Sequence, residues 1–405
     1  MNNKTTEKLP FRKLGLFEGF TIFSAISKFG NQLYYFVIPL YIYEITGSGF
    51  AMGLGWVFQT IPYLFTPYIG KLIDTLDKKT IYIVAGLLQF ILVLLIPIII
   101  TLTGIESVLI IYTFSSLVQT AGVASNIVSD YSFVPDFKRT EDTAIWNSYY
   151  ITINNIGRVA GPALASVSAA LLGYLSTLYI NSLTYLLSIV FVLIFVPKMN
   201  PIVAPKIKIS DGLKVVISNK ILKNIVISSI FLNLATGGMI VMYLFLMKSY
   251  WNLNETTIGI IMSSSILTGI IGSILGAKLF KFKAIKTKLS FWTLLLLILM
   301  APLISLNPYA AIIGFIFSSL CINAINVIFM SFRQEVIPSE LIGRTNAFIR
   351  MILLGVVPIS SIILMSLGES DFKRLLGFYI TILISLSFIT LIVGNKEENK
   401  IPKGE

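Results

Sequence analysis

Three cations sit inside stretches that are otherwise apolar enough to cross a bilayer: Lys28, Arg158 and Arg350. A charge at mid-membrane costs about 2.5–3.5 kcal/mol on insertion scales, so each has to face a wet cavity, find a partner or, for a lysine, give up its proton. The chemistry on offer is capture of a carboxylate or phosphate-like group and, at Lys28, carriage of a proton. Ser24, Ser27, Asn31 and Tyr35 recur around Lys28 at helical spacing and make one polar stripe on an apolar rod. Ser148, Thr152, Asn155 and Arg158 repeat that design, as do Ser115, Gln119, Asn126 and Asp130. Later in the chain come Asn233 and Tyr243, Asn323 and Asn326, and Asn346 and Arg350. Ser, Thr and Asn in membrane helices also simply bond to neighbouring helices, so the cations weigh most. Arg350 lies near the end of its stretch, within snorkelling reach of water.

The candidate substrate-binding set is accordingly Lys28, Asn31, Tyr35, Gln119, Asn155, Arg158, Asn233 and Asn326, with Tyr34, Tyr63, Tyr149 and Tyr150 offering aromatic faces. Carboxylates are scarce in the same stretches. Glu18 and Asp130 are read as lying within spans, both near an end, and none falls at mid-membrane. A cavity lined by these helices is expected to be net positive and to prefer anionic, zwitterionic or neutral amphiphiles, unless Asp130 reaches inward.

The elements that position these groups follow from composition. Of 405 residues, 56% are hydrophobic and 12% charged, which requires lipid as the main solvent. About twenty apolar residues span a bilayer as helix. On that criterion spans fall near 15–43, 50–73, 80–103, 107–129, 143–170, 174–196, 224–249, 255–277, 288–306, 308–331, 344–367 and 374–394. Of the 31 Lys and Arg residues, 25 lie in segments on one side of these spans, three in loops on the other and three inside spans. That asymmetry puts the basic side and both termini in the cytoplasm. The N-terminal tail leads into an apolar stretch without a small-residue cleavage site and is expected to stay attached.

The expected fold class is an all-α polytopic membrane protein with twelve transmembrane helices in two six-helix halves. Residues 1–197 form the first half, 198–223 a cytoplasmic loop, 224–394 the second half and 395–405 a tail. The halves share a local echo, with Pro135 preceding Ala144 and Pro338 preceding Ala347 by the same interval. Duplicated halves are characteristic of secondary transporters.

Several functions are excluded. The net charge of +12 is spread over short loops beside spans and forms no basic domain, so nucleic acid is not an expected partner. The chain has no histidine and one cysteine, Cys321, which removes the commonest metal ligand and general base and any intramolecular disulfide. No Gly-rich phosphate loop appears. No enzyme activity, cofactor or resident metal is expected.

Gly70-Lys71-Leu72-Ile73-Asp74-Thr75-Leu76-Asp77-Lys78-Lys79, after the second span, resembles the signature of the major facilitator superfamily: a glycine, an acid four residues on and a closing basic pair. Thr75 stands where an arginine usually follows the acid. Gly157-Arg158-Val159-Ala160-Gly161-Pro162 is similar to the glycine-proline pattern of exporters in that superfamily. Tyr43-Glu44-Ile45-Thr46-Gly47-Ser48, Arg333-Gln334-Glu335 and Gly343-Arg344 bring the chain nearest to its macrolide-efflux-like branch. The resemblance implies a gating and coupling set of Asp74, Lys78, Lys79, Asp130, Gly157, Gly161, Pro162, Arg344 and Arg350. It also implies that helices 3, 6, 9 and 12 lie outermost.

The expected function is secondary active export of amphiphilic small molecules of drug or macrolide type, by alternating access and coupled to H+. Export of anionic solutes such as siderophore-like metabolites, or lipid flipping, are the alternatives. The expected setting is a bacterial cytoplasmic membrane, with a small-molecule substrate and the lipid bilayer as partners and the chain acting as a monomer.

Overall fold

The computed structural model describes residues 15–66, 68–69, 76–104, 106–129, 143–197, 210–279, 285–305, 307–337, 342–369 and 374–398. Among them every regular element is a helix. The first set comprises α1 (Leu16–Thr46), α2 (Gly49–Thr60, continued by a 3-10 turn Ile61–Phe65), α3 (Lys78–Thr103), α4 (Val108–Val128), α5 (Thr143–Leu172) and α6 (Tyr174–Phe195). A short α7 (Ser210–Ser218) leads to α8 (Lys220–Thr236), α9 (Met239–Phe245) with a π-helical turn Leu246–Tyr250, and α10 (Glu255–Leu279). The chain continues through α11 (Ile285–Met300, with a 3-10 turn Ala301–Ser305), α12 (Pro308–Val336), α13 (Ile342–Gly355), α14 (Val357–Glu369) and α15 (Arg374–Glu398).

Every expected span coincides with a helix or with two consecutive ones. Among the described residues nine helical stretches are long and apolar enough to cross a membrane. Of the other three, α1 and α5 are long but carry the polar stripes that lower their hydropathy, and α2 is short. Pro62 explains the shortening, because it brings no N–H to an α-helical ladder, and the chain tightens into the 3-10 turn there. The chain is thus a multi-pass membrane protein.

Turn chemistry makes neighbours antiparallel. Gly47, at φ 64°, ends α1 in the left-handed region and returns its N–H to Tyr43 O over 2.8 Å, while Ser48 Oγ caps α2 by accepting from the Ala51 N–H. The expected central loop is partly helical instead. Val216 of α7 is buried and α7 packs on α13, so a one-faced amphipathic segment gains burial by folding against the bundle.

Two later spans are broken, and the breaks meet. Gly237 and Gly238 separate α8 from α9, and Pro358 follows the interruption at Val356 between α13 and α14. A side chain on Gly237 would stand 3.1 Å from the Val357 Cα, and one on Gly238 2.6 Å from the Ser361 Cα. The Gly238 N–H, released by the break, donates to Ser360 Oγ over 3.1 Å.

The end of the molecule where Lys78 and Lys79 open α3, Lys220 and Lys223 open α8, and Lys278 closes α10 is here called the basic end. At the other end the two sets of helices touch. Tyr43 of α1 meets Phe245 edge-on at 5.6 Å, and Gly53 of α2 packs on Met365 of α14. The Tyr174 hydroxyl of α6 donates to Glu255 Oε1 of α10 over 3.1 Å, and Lys248 pairs with the same carboxylate. Nearer the middle, just after Pro162 of α5, the Ala163 N–H donates to Ser263 Oγ of α10 at 3.1 Å.

α3, α6, α11 and α15 present exposed Leu, Ile and Phe, such as Leu183, Leu187 and Ile194 on α6 and Phe291, Leu294 and Ile298 on α11. These are the third, sixth, ninth and twelfth stretches, and they make the lipid-facing belt. The face needing explanation is therefore the inner one.

Candidate functional site

Between the two sets lies a cavity of about 980 Å³, bordered by α1, α2 and α5 on one side and by α8, α9, α10 and α12 on the other. It reaches from Phe36, Met262 and Phe315 to Ala277, next to Lys278 at the basic end. Its walls differ. The first set supplies Gln32, Tyr35, Trp56, Gln59, Asn155 and Arg158, whereas α10 and α12 supply Met262, Ile266, Ile270, Ile274 and Ile322, relieved by Asn323 and a few serines. Such a space suits a molecule with one polar and one apolar face.

Arg158 is the charge in that lining. Its side chain is exposed there and has no ion pair or hydrogen bond among the described residues. Thr152, Asn155, Arg158 and Pro162 form one cavity-facing strip of α5. The glycines of the same helix press onto α1: a side chain on Gly157 would lie 2.9 Å from Ala25 O, and one on Gly161 would collide with Gln32. Among the described residues no Asp, Glu, His or Cys lines the cavity, so no described side chain there neutralises the guanidinium.

Behind the wall, Gln119 of α4 is buried and fastens two lining tyrosines. Its Oε1 accepts from the Tyr35 hydroxyl at 2.9 Å and its Nε2 donates to the Tyr63 hydroxyl at 2.8 Å. Tyr35 in turn meets the Trp56 ring edge-on at 5.9 Å. Gln119 touches the site through these phenols and is not itself in the lining.

Of the eight residues expected to bind substrate, Tyr35, Asn155, Arg158 and Asn233 line the cavity; Lys28, Asn31, Gln119 and Asn326 do not. Lys28 turns to α5, where its ammonium donates to the Tyr150 hydroxyl over 3.0 Å and lies 4.8 Å from the ring centre. That hydroxyl also bonds to Ser129 Oγ at 2.9 Å and Ser24 Oγ at 3.4 Å. Asn31 turns to α6, its Oδ1 accepting from the Tyr185 hydroxyl at 2.7 Å. The α1 stripe is wide enough to serve three neighbours, and only its Tyr35 portion reaches the cavity. Asn326 is exposed one turn beyond Asn323, towards the basic end.

In the expected gating set, Gly157, Gly161 and Pro162 stand at the contacts just described. Lys78 is buried at the start of α3, and Lys79 donates to Leu193 O near the C-terminus of α6, where the helix dipole favours a cation. Arg350 is exposed on α13, outside the lining and without a partner among the described residues. Asp74 and Asp130 lie outside the described residues, as does the side chain of Arg344. The binding set did not include Gln32, Trp56 or Gln59. Trp56, Gln59 and Tyr63 do carry a signal, since spacings of three and four put them on one helical face.

Solved structures extend this picture. A bacterial homologue of the iron transporter ferroportin in an inward-facing state matches at a TM-score of 0.71 with 17% identity, over 93% of this chain and 98% of that one. Its outward-facing form matches at 0.64 with 16% identity, over 94% and 99%. The nucleoside transporter NupG matches at 0.70 with 14% identity, over 95% and 100%. No curated protein sequence matches the chain. These likenesses carry the fold, and a family model that matches residues 20–361 carries the membership: the chain belongs to the Major Facilitator Superfamily of membrane transporters.

Proposed function

We propose that this transporter is a secondary active exporter of amphiphilic small molecules bearing an anionic or strongly hydrogen-bond-accepting group, working by alternating access. The observation that carries the reading is Arg158, an exposed guanidinium with no partner among the described residues, opposite a wall of Ile266, Ile270 and Ile274. A guanidinium takes a carboxylate or phosphate in two parallel bonds, and the apolar wall takes the rest of the molecule. The basic end is cytoplasmic on the positive-inside rule, so the cavity opens to the cell interior and the far-end contacts close the outside. That is the state in which an exporter loads.

The iron named for the ferroportin homologue suits this cavity poorly as cargo, since its lining holds no carboxylate or thiolate among the described residues. Drug-type neutral amphiphiles of the macrolide kind remain within reach of the apolar wall. In this reading protons drive transport, with Lys28 exchanging the coupling proton behind the wall.

The test is growth protection of an efflux-deficient bacterial host by wild type and by Arg158→Ala at equal protein level, against anionic amphiphiles, macrolides and cationic dyes. Protection against the anionic set that is lost in the variant is expected. Protection confined to cationic dyes and indifferent to Arg158→Ala sinks the reading.

A further inference from the structure

We propose that α2 carries a recognition site of its own in the cavity wall, formed by Trp56 and Gln59, for an amide-type group (a secondary amide, lactam or imide) on the transported molecule. The inference rests on the reading that the cavity takes an anionic amphiphile, and adds to it a second point of recognition.

Both residues line the cavity. Gln59 is 1% exposed and Trp56 8%, and among the described residues neither Gln59 Oε1, Gln59 Nε2 nor Trp56 Nε1 has a hydrogen-bond partner. Buried polar groups are nearly always paired, because an unpaired one keeps the whole penalty of leaving water. Three such atoms within one turn of one helix therefore call for a ligand. Nearby hydroxyls bond to other groups. Tyr35 donates to Gln119, Tyr63 accepts from it, and Thr60 Oγ1 bonds back to the Trp56 and Val57 carbonyls at 2.9 and 3.2 Å.

Counting donors and acceptors selects the ligand class. The site offers N–H donors on Trp56 and Gln59 and one carbonyl acceptor on Gln59. A carboxylate or phosphate only accepts and leaves the Gln59 carbonyl unpaired. An ammonium only donates and leaves both nitrogens unpaired. An amide brings one carbonyl and one N–H on a flat frame, matches both sides and can lie against the indole. These atoms are sealed from solvent in this state, so the Gln59 and Trp56 side chains must turn toward the cavity for an amide to reach them. Arg158 in the same cavity then holds the acid of the same molecule.

The experiment compares two isosteric anions, N-benzoylglycine and 4-phenylbutanoate, which differ in the amide, for binding to the purified full-length transporter. Wild type is expected to bind N-benzoylglycine about tenfold more tightly. Gln59→Leu should erase that preference by weakening N-benzoylglycine alone, with no loss of melting temperature, since the change removes a buried unpaired amide. Trp56→Phe keeps the ring, loses the N–H, and should lower N-benzoylglycine affinity about threefold. Equal binding of the two anions by wild type, or a preference that survives Gln59→Leu, overturns the proposal. Arg158→Ala separates it from the parent reading: loss of both probes supports anion capture, whereas binding of both with the Gln59-dependent preference intact removes anion capture and leaves the α2 site standing. If neither probe binds wild type, both fall.

Discussion

The Lys28 ammonium lies 3.0 Å from the Tyr150 hydroxyl, so the charge that α1 carries into the membrane is tied to α5 behind the cavity wall. A part-buried cation inside the membrane thus bonds to a neighbouring helix, whereas Arg158, on the same helix as Tyr150, lines the cavity.

Removing the hydroxyl tests that tie. Tyr150→Phe takes an acceptor from a part-buried ammonium and should cost about 1–3 kcal/mol, read as a lower melting temperature of the purified protein. Lys28→Arg keeps the charge but does not titrate near neutral pH. With Lys28 as the proton carrier, substrate efflux from vesicles should continue down a concentration gradient yet stop responding to an imposed pH gradient.

Gln119 sets two lining phenols at once, and its loss should blur the site without unfolding the bundle. Gln119→Leu forfeits two hydrogen bonds worth about 0.5–1.5 kcal/mol each and frees Tyr35 and Tyr63 to turn. The expected outcome in transport kinetics is a KM raised several-fold with turnover nearly kept. An unchanged KM would mean that the phenols do not meet substrate.

Gly161 packs where α5 crosses α1, against Gln32. Gly161→Leu should push the two helices apart at a cost of about 1–3 kcal/mol, with lower expression and a lower melting temperature. Leu164, exposed on the same helix, provides the control, since Leu164→Ala should leave stability nearly unchanged.

Much of this architecture was legible in the chain because lipid imposes it. Span length, short turns and the one-sided Lys and Arg fix the helices and their order, and the polar stripes of α1 and α5 pick out inner helices. Which side of a stripe meets the cavity was not legible. Lys28, Asn31 and Tyr35 share a helical face, yet they serve α5, α6 and the cavity in turn. Neighbours decide that, and periodicity does not encode them. α2 was passed over for a related reason. Trp56, Gln59 and Tyr63 share a helical face in a short, mostly apolar stretch, but the weight of Gln59 shows fully only once its carboxamide is seen buried and unpaired. The breaks at Gly237-Gly238 and before Pro358 were also missed, because an apolar run reads the same whether or not its helix is continuous.

The role of Arg158 is best measured by binding to the purified transporter, with 4-phenylbutanoate and its uncharged methyl ester as ligands and wild type, Arg158→Lys and Arg158→Ala as proteins. Wild type should prefer the acid. The lysine variant should keep part of that preference, having charge without the two-pronged geometry, and the alanine variant should lose it, a change of about 1.5–3 kcal/mol for a hydrogen bond to a charged group. Equal affinity of all three proteins for the acid would show that the guanidinium in the cavity does not hold the substrate.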